Sequence, residues 1–309
     1  MWKDPKYVSH CRIGLELTVS HWRFLWRDTP RWIAVTPCLI FLKIANFADK
    51  TEGKMIVRPN VKLNIGLNVI RKREDGFHDL ETLFVPYEGI CDELEIETSG
   101  SFSIDIIREG GLGWDPMDDL TVKAYGLLRK DFALPPVSIR LVKNAPVGAG
   151  LGGGSSDAAF TLKCLDSIFG LELGDARLAE YAAKLGSDCA FFIYNRPMIG
   201  SGRGEILKPF RNDVLGGYRI EVTVPEDIAV STADAYRGIV PHEPEIPLIE
   251  ILATGPESWK GRLVNDFETT VFARYPKLAQ LKAEFYEKGA VYASMSGSGS
   301  SIYGIFRGH

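Results

Sequence analysis

The chain has 309 residues, of which 45% are hydrophobic and 25% charged, and its formal net charge is −4. These values are typical of a globular protein and exclude collagen-like, disordered and coiled-coil chains. The charge offers no basic field, and the longest clean apolar stretch, at 32–42, is well short of the roughly 20 residues of a membrane span, so we expect neither nucleic acid nor a membrane as a partner.

The cysteines and histidines are too scattered to form a disulfide framework or a metal centre. The cysteines are odd in number and show no Cys-x-x-Cys spacing; they lie at positions 11, 38, 91, 164 and 189. The five histidines are also spread along the chain. This pattern favours a reducing cytoplasm and predicts no protein metal site built on clustered histidines.

Residues 1–54 differ in composition from the rest of the chain. They hold four of the six tryptophans and carry nine basic against five acidic residues, a net charge of +4, whereas residues 55–309 carry −8. Their apolar residues follow no clear period, so no element is predicted before Met55. Three interpretations are open: translation that starts at Met55, a targeting or partner-binding arm, or a small folded addition. We favour the first and expect a chain that starts at Met55 to be soluble and equally active.

The first clear element is a strand at 61–70. Apolar and polar residues alternate there for ten residues, the period of a strand with one face on a core. Lys62 and Asn64 share the polar face, about 7 Å apart. For a single strand, the commoner interpretation of such a face is contact with solvent.

The later elements mix strands with helices. Alternation predicts strands at 93–97, 103–107, 137–143, 218–224, 291–295 and 302–306. Helical periodicity and terminal glycines predict helices at 119–132, 155–169, 174–185, 263–273 and 278–288. This mixture indicates an α+β or mixed α/β fold.

A glycine-rich segment at 146–159 joins a predicted strand to a predicted helix. Its glycines, at positions 148, 150, 152, 153 and 154, allow positive φ and a close approach of the backbone to a ligand. Ser155 and Ser156 follow at the start of the helix, where backbone amides and the helix dipole favour an anion. The segment predicts a phosphate-binding loop, with a flexible linker as the alternative.

The glycine-rich segment departs from three well-known phosphate-binding patterns. A Walker A loop would need a lysine where Gly154 stands. The spacing of Gly148, Gly150 and Gly153 matches the dinucleotide fingerprint, but Asp166, near the distance of its acidic partner, falls in a predicted helix. The His-Arg-Asp and Asp-Phe-Gly segments of protein kinases do not occur.

Three segments together resemble the GHMP family of small-molecule kinases. The glycine-rich segment resembles the ATP loop of that family, 62–64 resembles its first motif, and 296–301 resembles its third. The resemblance implies a two-lobed fold, with an N-terminal ATP-binding lobe of mixed sheet and helices at 55–204 and a C-terminal ferredoxin-like lobe at 205–309. It also implies ATP, accompanied by Mg²⁺ that Ser155 or Ser156 and the phosphates would hold. The residues expected to bind ATP are Pro146, Gly148, Gly150, Gly152, Gly153, Gly154, Ser155 and Ser156.

Two further stretches, at 71–84 and 185–192, resemble one branch of the family. Its members phosphorylate the 2-hydroxyl of a cytidine-diphosphate-linked methylerythritol in the non-mevalonate isoprenoid pathway, which implies a small-molecule substrate. A homoserine- or mevalonate-type kinase is one alternative, but it gives no reason for the aromatic stretch 75–78. A non-catalytic sensor that binds ATP on the same fold is another, but it would be expected to lack Lys62 or Asp188.

The resemblance assigns the reaction itself to two residues. Phosphoryl transfer to an alcohol needs a held triphosphate, a proton acceptor, and positive charge where negative charge accumulates. Asp188, expected at a helix-to-strand junction that faces a cleft, would accept the proton. Lys62 would position Asp188 and supply the positive charge.

Aromatic residues are expected to hold the nucleotide. By resemblance, Phe77 stacks on cytosine, His78 hydrogen-bonds its polar edge, and Tyr236 places a second ring against it. Three further residues are expected to contact the substrate or line its pocket: Asn64, Phe84 and Thr232.

Overall fold

The computed structural model describes residues 47–308, which belong to one compact unit. In chain order, its strands are β1 (Phe47–Thr51), β2 (Lys54–Val57), β3 (Asn60–Lys72), β4 (His78–Cys91), β5 (Glu93–Thr98), β6 (Ser103–Arg108), β7 (Val137–Lys143), β8 (Met198–Ser201), β9 (Ile206–Pro209), β10 (Tyr218–Thr223), β11 (Tyr292–Met295) and β12 (Ile302–Arg307). The α-helices of this part are α1 (Leu120–Asp131), α2 (Gly153–Phe169), α3 (Gly174–Ala183), α4 (Cys189–Tyr194), α5 (Thr232–Tyr236), α6 (Leu248–Ala253), α7 (Phe267–Arg274) and α8 (Pro276–Glu287).

The first sheet has the order β1-β2-β5-β7-β6 and is antiparallel except for the parallel pair β6 and β7. In β7, Val137, Ile139 and Leu141 alternate with less buried residues and are themselves fully buried. They belong to one apolar core with the buried faces of α1 and α2. Asp119 caps α1 by accepting a hydrogen bond from the Thr121 backbone N–H, which fixes where this helix begins.

The second sheet, of order β3-β4-β8-β9, starts with a long antiparallel hairpin of β3 and β4. Val61 and Leu63 on one face of β3 are fully buried, as the alternation predicts. Lys62 and Asn64 on the other face are also buried, each 3% exposed. The chain before α2 covers this part of β3: the Lys62 backbone N–H donates to the carbonyl of Leu151 at 2.9 Å, and the Lys62 ammonium on the polar face donates to that of Gly150 at 2.9 Å. The solvent-facing interpretation is therefore wrong.

The third sheet, of order β10-β12-β11, is antiparallel and lies in the C-terminal part of the described chain. Helix α8 packs on it, and the rings of Phe285 and Phe306 have centroids 6.2 Å apart. The loop 296–301 joins β11 to β12, and its Ser301 hydroxyl donates to the Ala149 carbonyl at 2.7 Å. The third motif therefore packs directly on the glycine-rich segment.

Strand β3 takes part in two of the apolar cores. Val61 and Leu63 share a core with Tyr303 of β12. Farther along the strand, Leu67 shares the next core with Phe267 of α7. One strand thus connects the N-terminal and C-terminal halves of the unit.

Most predicted elements are present with shifted ends, and β7 has its predicted bounds. The sequence patterns do not predict β2, β4, β8, β9, α5 or α6. No element is predicted before Met55, whereas β1 precedes that residue and Met55 lies inside β2. The interpretation of residues 1–46 lies outside the described residues. None of the described helices is both long and apolar enough to cross a membrane.

Candidate active site

A cavity of about 940 Å³ opens between the glycine-rich segment, β3 and the helices α4 and α5. The predicted site residues that line it are Lys62, Asn64, Phe77, His78, Phe84, Pro146, Gly148, Gly150, Gly152, Gly153, Gly154, Ser155, Asp188, Thr232 and Tyr236. Ser156 is the exception: it is fully buried and does not line the cavity.

Lys62 reaches this cavity from β3 and is held on several sides. Its ammonium donates to Asn64 Oδ1 at 2.5 Å and to the Gly150 carbonyl at 2.9 Å. It also lies 3.4 Å from Asp188 Oδ2 and 5.4 Å from the centroid of the Phe84 ring. The chain therefore fixes a buried cation between the glycine-rich segment and a carboxylate.

Hydrogen bonds decide which way the Asn64 amide points. The Asn64 amide nitrogen donates to Thr82 Oγ1 at 3.1 Å, and the Thr82 hydroxyl donates onward to the Gly66 carbonyl at 2.5 Å. Because Thr82 donates its proton to that carbonyl, its oxygen can only accept from Asn64. The Asn64 amide nitrogen therefore faces Thr82, and the amide oxygen faces Lys62. The Asn64 backbone N–H donates to Ser296 Oγ at 3.2 Å, which ties the first motif to the third.

Asp188 directly precedes α4, so the strand expected after it is a helix and the predicted helix-to-strand junction is wrong. The apolar run that suggested a strand, which includes Phe191 and Phe192, is buried as the inner face of that helix. The Asp188 side chain is 32% exposed, and a Cβ at Gly204 would lie 3.9 Å from its Oδ1. Asp188 thus has both a charged neighbour and access to the cavity, as a proton acceptor requires.

Gly150 is where the three motifs meet. Its φ is +76°, and a Cβ there would lie 2.1 Å from the Ser296 carbonyl oxygen, so this position requires glycine. The Gly150 carbonyl accepts hydrogen bonds from Lys62 and, at 3.1 Å, from the Ser296 hydroxyl. The first motif, the glycine-rich segment and the third motif are therefore positioned by one another.

Helix α2 begins at Gly153 and has no side-chain cap. Its free backbone amides and its dipole favour an anion at this end. Gly154 and Ser155 line the cavity beside it, whereas the Ser156 hydroxyl points inward and has no hydrogen-bond partner in the described structure. The first turn of α2 therefore presents Ser155 to the cavity on a surface suited to an anion, and it directs Ser156 away from the cavity.

A buried ion cluster supports the first turn of α2 from below. The Lys143 ammonium binds Asp92 and also Asp157, at 2.6 Å. A Cβ at Gly153 would lie 3.5 Å from the Lys143 Nζ. Burial raises the pKa of Asp157 well above its ordinary range, and the Lys143 charge offsets this only in part. Burial would lower the pKa of Lys143, but the charges of Asp157 and Asp92 raise it.

The other end of the cavity is aromatic. His78 and Tyr236 are stacked, with centroids 4.6 Å apart, and Phe267 packs edge-on against Tyr236 at 4.7 Å. Burial lowers the pKa of His78, and the charge of Lys72 lowers it further. Burial also raises the pKa of Tyr236, with a contribution from the charge of Asp188. Both rings are therefore neutral at neutral pH and suited to stack with a planar, polar group.

Phe77 and Thr232 also line the cavity. Phe77 is 52% exposed, and the Arg203 guanidinium lies 4.8 Å from the centroid of its ring. The Thr232 hydroxyl faces that of Ser298 in the third motif, 3.5 Å away. Phe84 is 2% exposed and packs as a wall of the cavity.

The cavity is also lined by residues that no sequence motif indicates. Trp114 donates its indole N–H to Asp119 at 3.0 Å beside the start of α1. Lys143 ends a predicted strand just before the glycine-rich segment, a position that could have drawn notice. Arg203 stands between two glycines, which indicate a turn but say nothing of a site.

Two family models match this chain. The model of the GHMP kinases N terminal domain matches residues 119–196, and that of the GHMP kinases C terminal matches residues 248–309. The fold, the uncapped helix after the glycine-rich segment and the lysine–aspartate pair define a small-molecule kinase of the GHMP class.

Curated relatives point to one family within this class of kinases. Proteins of Bacteroides fragilis, Porphyromonas gingivalis and Cytophaga hutchinsonii, each named 4-diphosphocytidyl-2-C-methyl-D-erythritol kinase, are 49%, 44% and 42% identical over 255, 257 and 252 residues. Each match covers 82% of this chain and 92% of the relative. The chain belongs to the 4-diphosphocytidyl-2-C-methyl-D-erythritol kinase family.

Solved structures agree with this placement. A crystal structure of 4-(cytidine 5'-diphospho)-2C-methyl-D-erythritol kinase is 32% identical, with a TM-score of 0.69, covering 82% of this chain and 91% of the other. The mevalonate kinase of Methanococcus jannaschii is 14% identical, with a TM-score of 0.60, covering 84% and 92%. The second likeness concerns the fold alone.

Proposed function

We propose that this chain transfers the γ-phosphoryl group of ATP to the 2-hydroxyl of 4-diphosphocytidyl-2-C-methyl-D-erythritol in the non-mevalonate isoprenoid pathway. The observation that carries the proposal is the Lys62–Asp188 pair, 3.4 Å apart, within one cavity. Lys62 contacts the glycine-rich segment, and the charge of Asp188 acts on Tyr236 at the aromatic end. The names of the curated relatives support the same substrate.

In the proposed reaction, the substrate oxygen bonds to the γ-phosphorus while the bond from that phosphorus to the bridging oxygen of ADP breaks. The hydroxyl proton passes to Asp188, and ADP leaves with the bridging oxygen. Lys62 holds the Asp188 carboxylate in place and sets positive charge beside the reacting oxygens. Since the transition state spreads charge over the phosphoryl oxygens, positioning and electrostatics provide most of the catalysis.

The triphosphate would bind at the first turn of α2, where Gly152, Gly153, Gly154 and Ser155 line the cavity. Among residues 47–308, no group of three or more His, Cys, Asp or Glu side chains could hold a metal ion. This suits Mg²⁺, which commonly takes one or two protein ligands together with substrate phosphates and water. Ser155 would be its ligand from this chain, and the bound ion would neutralise phosphate charge.

Selection of the cytidine end would come from the aromatic rings. Cytosine would stack against Phe77 and the His78–Tyr236 pair, and the neutral imidazole would hydrogen-bond its polar edge. Homoserine and mevalonate have no base to occupy this space. Thr232 would lie near the base, Asn64 would orient Lys62, and Phe84 would close the wall.

We also propose a cytoplasmic location. Cys91, Cys164 and Cys189 form no disulfide within the described chain, as is common in reducing compartments.

The test is ADP release by the purified protein with ATP, Mg²⁺ and the cytidylated substrate, run beside mevalonate and homoserine. We expect turnover with the first alone. Asp188→Asn should lower kcat by roughly 10²- to 10⁴-fold, because the proton acceptor is lost, while ATP binding persists. Asp105→Asn, on an exposed side chain of β6, is the matched control and should retain full activity.

Three results would count against the proposal. Turnover of mevalonate or homoserine would reassign the substrate. Full activity of Asp188→Asn would remove Asp188 as the proton acceptor. ATP binding without turnover of any of the three would favour a non-catalytic sensor.

A further inference from the structure

The cavity has to accept two polyanions, but most of its positive charge is already paired. The basic side chains that line it, within the described chain, are Lys62, Lys143 and Arg203. Lys62 lies beside Asp188, and the Lys143 ammonium is shared by two buried carboxylates. The two lysines therefore have little charge left for a second anionic substrate.

Arg203 is differently placed. The one carboxylate that lies within 4 Å of it in the described structure is Glu205, 3.6 Å from Arg203 Nε. That carboxylate accepts its short hydrogen bond, 2.6 Å, from the Arg203 backbone N–H instead. The guanidinium itself makes no hydrogen bond to any described residue, and its side chain is 37% exposed. Most of its donors thus remain available to a ligand.

The position of Arg203 links the two ends of the cavity. The next residue, Gly204, packs beside Asp188, while the Arg203 guanidinium lies over Phe77. Gly202 and Gly204, with φ of +67° and +105°, form the tight turn between β8 and β9 that presents this side chain. Arg203 therefore extends from the reacting end toward the aromatic end.

We propose that Arg203 binds the diphosphate of the acceptor substrate. The inference rests on the proposed function, because a hydroxyl at Asp188 and a base at Phe77 leave the diphosphate in the interval that Arg203 spans. Each phosphate of that group carries a negative charge, and a guanidinium can bind two phosphate oxygens at once. Arg203 is then the residue that distinguishes a diphosphate-linked acceptor from an uncharged nucleoside.

The test compares Arg203→Met with wild type by calorimetric binding of cytidine, CMP and CDP in the presence of a non-hydrolysable ATP analogue. Methionine keeps the apolar contact with Phe77 and removes the charge. We expect wild type to bind CDP more tightly than cytidine. The variant should lose roughly tenfold or more in affinity for CDP while its affinity for cytidine stays unchanged. KM for the full substrate should rise with little change in KM for ATP.

Lys208→Met, in the same β-hairpin and exposed, is the matched control and should bind all three ligands as wild type does. Arg203→Lys should restore part of the CDP affinity, because a point charge returns without the planar fork. Equal losses for cytidine and CDP in Arg203→Met would overturn the inference, since Arg203 would then act through Phe77. If wild type bound neither cytidine nor CDP, the proposed substrate would fail and the inference with it.

Discussion

Two carboxylates share one buried ammonium below the glycine-rich segment. The side chains of Lys143, Asp92 and Asp157 are only 3%, 1% and 2% exposed. A cation and one anion can be buried as a pair, but a second anion there has no counter-charge. Asp92 accepts two backbone N–H groups at 2.6 Å besides the lysine, whereas Asp157 keeps one oxygen without a hydrogen-bond partner. We infer that Asp157 holds a proton and Asp92 is the anion.

This assignment predicts opposite outcomes for two similar substitutions. Asp157→Asn replaces a neutral acid with a neutral amide of the same shape and should not lower the free energy of unfolding at pH 7. Asp92→Asn leaves Lys143 without its anion and should cost about 3–5 kcal/mol. Urea unfolding followed by circular dichroism measures both, and equal losses would contradict the assignment.

The pH dependence of the unfolding free energy provides a second test of this assignment. Since the folded state raises the pKa of Asp157, its stabilising contribution is complete below the ordinary aspartate pKa and is lost as pH rises toward the raised value. Asp157→Asn removes this loss. The stability of the variant relative to wild type should therefore increase between pH 4 and pH 8, and a constant difference would speak against a protonated Asp157.

At the scale of elements, the glycine-rich segment offers a matched pair of positions. Gly148 and Gly150 both have positive φ, +71° and +76°, so alanine strains the backbone similarly at each. A Cβ at Gly148 would meet nothing within 4 Å, whereas one at Gly150 would collide with the Ser296 carbonyl. Gly150→Ala should therefore destabilise the protein by about 1–3 kcal/mol more than Gly148→Ala.

The same pair should differ in activity. Gly150→Ala moves the carbonyl that accepts from Lys62, so kcat should fall, whereas Gly148→Ala should mainly affect KM for ATP. Urea unfolding and ADP release would measure the two effects. Equal behaviour of the two variants would show that contact with the third motif is unimportant.

Elements whose own sequence determines them are predicted well. Alternation over 137–143 predicts β7 with its bounds, and Asp119 marks the start of α1. In contrast, β4 is not predicted. Pro86 and Gly89 interrupt its alternation of apolar and polar residues, and its strand structure depends on pairing with β3. The apolar run after Asp188 is short enough to fit a strand or a helix, and only the tertiary packing decides for the helix.

The same distinction applies to the site. The motif residues Lys62, Gly150 and Asp188 could be identified because their spacing resembles a family pattern. Arg203 and Asp92 could not, because each reaches the site through a tertiary contact that no local pattern records. Ser156 illustrates the reverse case: it follows Ser155 in the motif, but the helical turn directs it away from the cavity.

At the scale of the whole molecule, the contribution of β1 to stability can be tested directly. A chain that starts at Met55 loses β1 and leaves β2, which still pairs with β5, as the edge of the first sheet. The cavity is lined from Lys62 onward, so activity should be retained, but the melting temperature should fall by roughly 2–4 °C for each kcal/mol lost. The control is a chain that starts at Ile44, which keeps β1.

Thermal melting and ADP release of these two chains would decide the point. Identical melting temperatures would mean that β1 contributes nothing to stability. Loss of folding in the shorter chain would contradict the interpretation that translation starts at Met55. The lobe boundaries at 55–204 and 205–309 stay proposals in either case.

The passage of β3 through two apolar cores has a thermodynamic consequence. If the third sheet melted alone, Val61 and Leu63 would lose the Tyr303 surface that they pack against. Neither half can therefore open fully while the other keeps its native free energy, and the chain behaves as one cooperative unit. Nucleotide bound at α2 then raises the unfolding free energy of residues far from it by mass action. Amides in the third sheet that do not contact the cavity should accordingly exchange their hydrogens more slowly once ATP is bound.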